Sequence, residues 1–143
     1  MSDHDRLCAK LDKLYTYYTE LKSLSSFSRE KYMSDSIYRR AVERTIQLIV
    51  ECATDINNML LRMKEKKGAT DYFNSFIDLA EQDILPMEFA LKIAPSTGLR
   101  NILVHEYEEI DDEIVYSSIS TCLNYYLEYI NLINQYLNCS PRT

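Results

Sequence analysis

The chain has 143 residues, with 16 Lys and Arg against 22 Asp and Glu, two Gly, three Pro, four Cys and no Trp. This length suits one domain spanning residues 1–143, and 46% apolar with 27% charged residues supplies a core, excluding a disordered, collagen-like or disulfide-scaffold chain. Scarce Gly and Pro leave too little turn chemistry for a sandwich or barrel of many hairpins, so the composition points to helices.

Leu7, Leu11, Leu14, Tyr18 and Leu21 recur at helical spacing behind a Ser2/Asp5 start signal. The serine-rich stretch Ser23–Ser28 predicts a turn, because serine hydroxyls compete for backbone hydrogen bonds. A second helix of more than 25 residues follows, with Val42, Ile46, Ile49, Ala53, Ile56, Leu60 and Met63 on its inner stripe. Gly68, after Lys64, Lys66 and Lys67, reads as its carboxy-terminal cap. A short amphipathic segment runs from about Asp71 to Gln82, and Leu85-Pro86 opens another turn or two of helix.

The run Ala94–Gly98 reads as a break, with a short helix from Leu99 to about Tyr107. Asp111-Asp112 then caps a long final helix whose stripe is Val115, Ile119, Cys122 or Leu123, Tyr126, Ile130, Ile133 and Leu137. Three strong amphipathic helices with shorter pieces predict an all-α antiparallel bundle of four to five helices.

The four cysteines show no C-x-x-C pair and the chain has only two histidines, so a zinc site is not expected. No basic-then-apolar leader and no apolar run of membrane-spanning length are found, which predicts a cytoplasmic protein with reduced thiols and no membrane partner. The net charge of −6 conceals an uneven distribution. Residues 1–67 carry 13 basic and 10 acidic groups, residues 68–143 carry 3 and 12. Arg39, Arg40 and Arg44, and Arg62 with Lys64, Lys66 and Lys67, are either phosphate contacts or solvated helix faces.

Motifs for phosphate loops, serine hydrolases and zinc proteases are absent, and no cofactor is expected. What remains is Gly98–Tyr107. On a helix Asn101 and His105 share a face, while Arg100 and His105 stand about 140° apart and can flank a cleft. A guanidinium can grip phosphate and offset the charge of a pentacovalent transition state. An imidazole can take a proton from a ribose 2′-hydroxyl or return one to the leaving oxygen. One histidine does not easily do both, which favours a symmetric dimer pooling two copies of the segment. Taken alone, the same residues also fit capping, salt-bridge and packing roles.

The string Arg100-Asn101-Ile102-Leu103-Val104-His105-Glu106-Tyr107 resembles the Arg-x4-His-x-Tyr signature of HepT-like toxins in the HEPN superfamily, and Ala41–Arg44 onward through Glu51 and Asp55 resembles that family's second helix. The resemblance implies a HEPN-like homodimer and a metal-independent endoribonuclease acting on RNA, with Arg100 and His105 catalytic, Asn101 a polar accessory and Glu51 and Asp55 accessory or structural. It also implies neutralisation by a MntA-like nucleotidyltransferase antitoxin that adenylylates Tyr107. The competing expectation is a noncatalytic helical subunit that binds a nucleotidyltransferase or presents substrate to it.

Overall fold

The computed structural model describes residues 1–69, 71–105 and 110–140. The described residues form seven helices: α1 (Asp3–Leu24), α2 (Arg29–Ser34), α3 (Ser36–Met63), α4 (Tyr72–Glu81), α5 (Met87–Ile93), α6 (Ser96–His105) and α7 (Asp112–Leu137). Three are long and four are short.

Ser2 caps α1 by accepting from the Asp5 amide, and the five predicted stripe residues of α1 are all buried. Each buried Leu contributes roughly 1.5–3 kcal/mol, more than the ~1 kcal/mol of a cap, so the stripe rather than the cap fixes α1 in place. It lies between α3 and α7. The contacts of Lys10 with Asp55 and of Tyr38 with Leu24 make α1 antiparallel to α3. His4 with Leu137 makes it antiparallel to α7. Pairs such as Tyr129 with Ala53 and Arg39 with Asp112 make α3 and α7 parallel to each other.

Several predicted boundaries move. Helix α3 is 28 residues long, but it ends at Met63, and Gly68 is not its cap. Glu65 takes the left-handed position (φ 58°), with Glu65 N–H donating to the Arg62 carbonyl and Lys66 N–H to the Leu61 carbonyl. This is the Schellman closure, here made without glycine. Met63 is correspondingly exposed rather than in the core. Asp83 (φ 59°) closes α4 in the same way. The break before the sixth helix shrinks to Ala94-Pro95, and Gly98 lies inside α6. Ser96 explains the early start: its hydroxyl donates to the Ile93 carbonyl and lies 2.7 Å from Tyr126 OH, which pins the first turn of α6 to α7.

The thiol expectation is also corrected. Cys8 and Cys139 are joined by a disulfide, whereas Cys52 and Cys122 are free and buried. Cys122, not Leu123, takes the core position of α7, and burial pushes its thiol up to about 12. His4 is held against the end of α7, its Nε2 2.6 Å from the Leu137 carbonyl. Arg39 is a structural group, donating to the Tyr32 and Met33 carbonyls.

One polar network crosses the core. Tyr129 OH donates to Asn57 Oδ1 (2.5 Å), Asn57 Nδ2 donates to Ser75 Oγ (3.0 Å), and Ser75 Oγ donates to the Tyr72 carbonyl (2.7 Å). Asn57, Ser75 and Tyr129 are fully buried, so α3, α4 and α7 are held in register by groups that water cannot reach.

Asn57→Ala removes the link between α4 and α7 and leaves the Tyr129 hydroxyl only the Ala53 carbonyl, and should cost about 2 kcal/mol in urea unfolding. Burial raises the Glu43 carboxyl above its ordinary range, assisted by Asp112 and opposed by Arg39 and Arg40. The folded state therefore binds that proton more tightly than the unfolded chain, and this contribution is lost as pH rises through the folded value. Glu43→Gln should raise Tm at pH 7, with the gain vanishing below about pH 4.

Candidate functional site

Helix α6 buries Thr97, Leu99 and Leu103 against the core, which turns its other face outward. Asn101 and His105 are exposed on that face, and His105 is the last residue of the helix. Arg100 is different. Its side chain is 16% exposed and folds back toward α3.

There Arg100 Nε and Nη2 both donate to Glu51 Oε2, at 2.9 and 2.6 Å, and Gln47 Nε2 approaches the same oxygen at 3.3 Å. The guanidinium carbon lies 4.5 Å from the centroid of the Tyr72 ring at the start of α4. A carboxylate on one edge and a ring on one face fix the plane of the guanidinium. The remaining nitrogen, Nη1, is 3.4 Å from Asn101 Oδ1 on the exposed face of α6. Arg100 is thus held at Nε, at Nη2 and on one face, with Nη1 turned toward Asn101.

Two of the sequence candidates separate here. Glu51 is brought to Arg100; Asp55, one turn on, instead pairs with Lys10 Nζ at 3.0 Å. That pair is well exposed and contributes little to stability. Glu51 and Asp55 share a groove of about 160 Å³ with Lys10, Lys13 and Tyr17 from α1. Tyr107 lies outside the described residues, as do Glu106, Glu108 and Glu109.

Tyr72 and Gln47 were not singled out from the sequence. Tyr72 is one of 12 tyrosines, and its only local signal is its place directly after the Asp71 cap of α4. Gln47 sits four residues before Glu51, the spacing at which helix side chains meet, but that pattern recurs too often to mark a site.

The arrangement is that of the HEPN fold. The structure superposes on the tri-AMPylated HEPN toxin of Shewanella oneidensis in complex with MNT antitoxin with a TM-score of 0.82 at 21% identity, covering 94% of this chain and 99% of that one. It also matches the cytosolic protein YutE of Bacillus subtilis, of unknown function, at a TM-score of 0.77 and 18% identity, covering 94% of each. Sequence carries the assignment further. Residues 14–133 match the family model described as Ribonuclease HepT-like, and the chain is 41% identical over 129 residues to the tRNA nuclease HepT of Aphanizomenon flos-aquae, covering 90% of this chain and 87% of that protein. The mRNA nuclease HepT of Shewanella oneidensis is 26% identical over 109 residues, or 76% and 78% of the two chains. The protein belongs to the HepT-like ribonuclease family.

The Arg100–Glu51 contact is mostly buried, so removing either partner alone leaves a charge poorly solvated. A double-mutant cycle of Arg100→Ala and Glu51→Ala, read by urea unfolding, should return a coupling of about 1–2 kcal/mol. The Lys10→Ala and Asp55→Ala cycle should return about 0.5 kcal/mol or less.

Proposed function

We propose that the chain is the toxin of a toxin–antitoxin pair, an endoribonuclease that cleaves RNA without a metal at a site composed by two protomers. The observation that carries this reading is the guanidinium of Arg100, immobilised by Glu51 and Tyr72 five positions before an exposed histidine, in a chain 41% identical to a tRNA nuclease.

On this reading the 2′-hydroxyl attacks the adjacent phosphorus and the 5′-oxygen leaves. The His105 imidazole of one protomer accepts the hydroxyl proton and that of its partner protonates the leaving oxygen. Arg100 meets the developing charge through Nη1, the edge not taken by Glu51. Asn101 is a polar accessory holding that edge in place. Glu51 is a positioning residue, and Asp55, paired with Lys10, is a structural one.

Silencing falls to a MntA-like nucleotidyltransferase that transfers adenylate to the Tyr107 phenol. The support is the Tyr107 match to the family motif, together with the fold shared with an AMPylated toxin bound to its MNT antitoxin. The new phosphodiester would sit two residues beyond His105, repelling RNA phosphate and competing for Arg100. No helix among the described residues is long and apolar enough to cross a membrane. The cytoplasm, where RNA and ATP are both present, is the compartment this reading requires.

The test is cleavage of total cellular RNA by antitoxin-free protein in EDTA. Arg100→Ala and His105→Ala should each lose about 100-fold or more in rate. Absence of cleavage by the wild type would overturn the enzyme reading in favour of a noncatalytic partner of the nucleotidyltransferase, and wild-type cleavage by both variants would overturn the Arg100 and His105 roles. Mass spectrometry after incubation with antitoxin and ATP should find adenylate in wild type and not in Tyr107→Phe.

A further inference from the structure

Three side chains with affinity for soft metal ions meet where the two ends of the chain come together. His4 and Cys8, one turn apart on α1, face Cys139, which follows the left-handed Asn138 (φ 54°) that turns the chain out of α7. One ligand atom from each of the three lies within 4.8 Å of the others. Cys8 Sγ is 4.0 Å from His4 Nδ1 and 3.8 Å from Nε2. None of these residues takes part in the Arg100 site.

The histidine is already oriented as a ligand. Its Nε2 lies 2.6 Å from the Leu137 carbonyl, and a carbonyl only accepts, so the proton belongs on Nε2 and the lone pair on Nδ1. Imidazoles that bind metal characteristically donate their second nitrogen to such a carbonyl, which fixes both tautomer and ring plane. Two thiolates and one imidazole are a zinc-type donor set. In a tetrahedral site, bonds of about 2.3 Å to sulfur and about 2.0–2.1 Å to nitrogen set neighbouring ligand atoms roughly 3.5–3.8 Å apart. The separation of Cys8 Sγ from Nδ1, the ligating nitrogen, is 4.0 Å, a few tenths of an ångström wider than this. The sulfurs must part, because a disulfide sulfur is no thiolate.

We propose that His4, Cys8 and Cys139 form a Cys2His site for zinc or a similar soft divalent cation once the disulfide is reduced. The reduction is an ordinary two-electron exchange with a dithiol: the S–S bond breaks, two thiols form and the dithiol closes to its own disulfide. On binding, each thiol releases its proton to solvent, Nδ1 donates its lone pair, and water completes the coordination beside the exposed His4. The chain ends are then clasped in both states, covalently when oxidised and by the metal when reduced.

The experiment uses the tag-free full-length chain, reduced with a phosphine, saturated with zinc sulfate, desalted and analysed by plasma mass spectrometry. Reduced wild type should retain about one zinc per chain, with the oxidised protein and Cys139→Ser near zero. His4→Ala should weaken binding about tenfold or more in competition with a chromogenic chelator. Cys139 lies beyond the last helical residue, and circular dichroism should find the helix content of Cys139→Ser unchanged. Cobalt substitution should give a thiolate-to-metal charge-transfer band in the wild type only. Zinc well below stoichiometry in the reduced wild type would overturn the proposal. So would equal retention by a Cys8→Ser, Cys139→Ser double variant, or affinity unchanged by His4→Ala.

Discussion

The guanidinium of Arg100 is held from two sides, a constraint that the packing of α3, α4 and α6 against one another supplies. Glu51 grips one edge from α3 and Tyr72 lies under one face from α4. Tyr72 is itself tied to the core, because its carbonyl accepts from Ser75, which accepts from Asn57, which accepts from Tyr129. A chain of hydrogen bonds therefore runs from the fully buried middle of α7, through α3 and α4, to the residue beneath the arginine. The segment carrying Arg100 is fixed separately, by Ser96 against Tyr126 at its start and by Leu99 and Leu103 along its length. A flexible side chain at a surface loses much of its rotamer entropy when it grips an anion. Here that cost is met in folding, and the arginine is placed before any ligand arrives.

The same geometry limits what the arginine can do. Glu51 occupies the Nε–Nη2 edge, one of the two edges that can grip phosphate, and leaves the Nη1–Nη2 end, where Nη1 faces Asn101. Such an arginine meets substrate through its Nη1–Nη2 end unless phosphate displaces the carboxylate. Displacement is disfavoured, since Glu51 would be left mostly buried and unpaired. One-edge contact suits charge that appears only in the transition state better than tight ground-state binding, because weak binding of the substrate leaves more of the interaction to be realised at the barrier.

Long periodic helices were the most legible part of the sequence. The stripes of α1, α3 and α7 were read almost residue by residue, because burying a leucine or isoleucine outweighs any local preference, and the helical period records where that burial falls. The caps at Ser2, Asp71 and Asp111 were visible or nearly so for a related reason: a short polar side chain satisfying free amides is a local device. Carboxy-terminal closures were less legible. Glu65 and Asp83 adopt left-handed backbone that glycine would take more readily, so Gly68 drew the boundary three residues too far. At the site, Arg100, Asn101, His105 and Glu51 could be named, but not the pairing of Glu51 with Arg100 and of Asp55 with Lys10. Glu51 and Asp55 are one turn apart on α3, and only the packing of α6 and α1 against that helix assigns each its cation. The meeting of Cys8 with Cys139 was hidden for the same reason, since a sequence separation of 131 carries no local signal of contact.

One imidazole per α6 also gives the proposed site its dimeric form. Arg100 and His105 leave the axis of α6 about 140° apart, so one helix presents them to different sides rather than to one bond. Arg100, moreover, is drawn toward α3 by Glu51, away from the exposed end of the helix where His105 stands. Two copies related by a two-fold axis remove the difficulty, because the exposed end of each α6 can then face the other and a histidine of one protomer can complement the arginine of its partner. In such an arrangement Glu51 restrains the arginine from swinging across the shared cleft when RNA is absent, and the phosphodiester supplies the negative charge between two cationic sites that would otherwise repel.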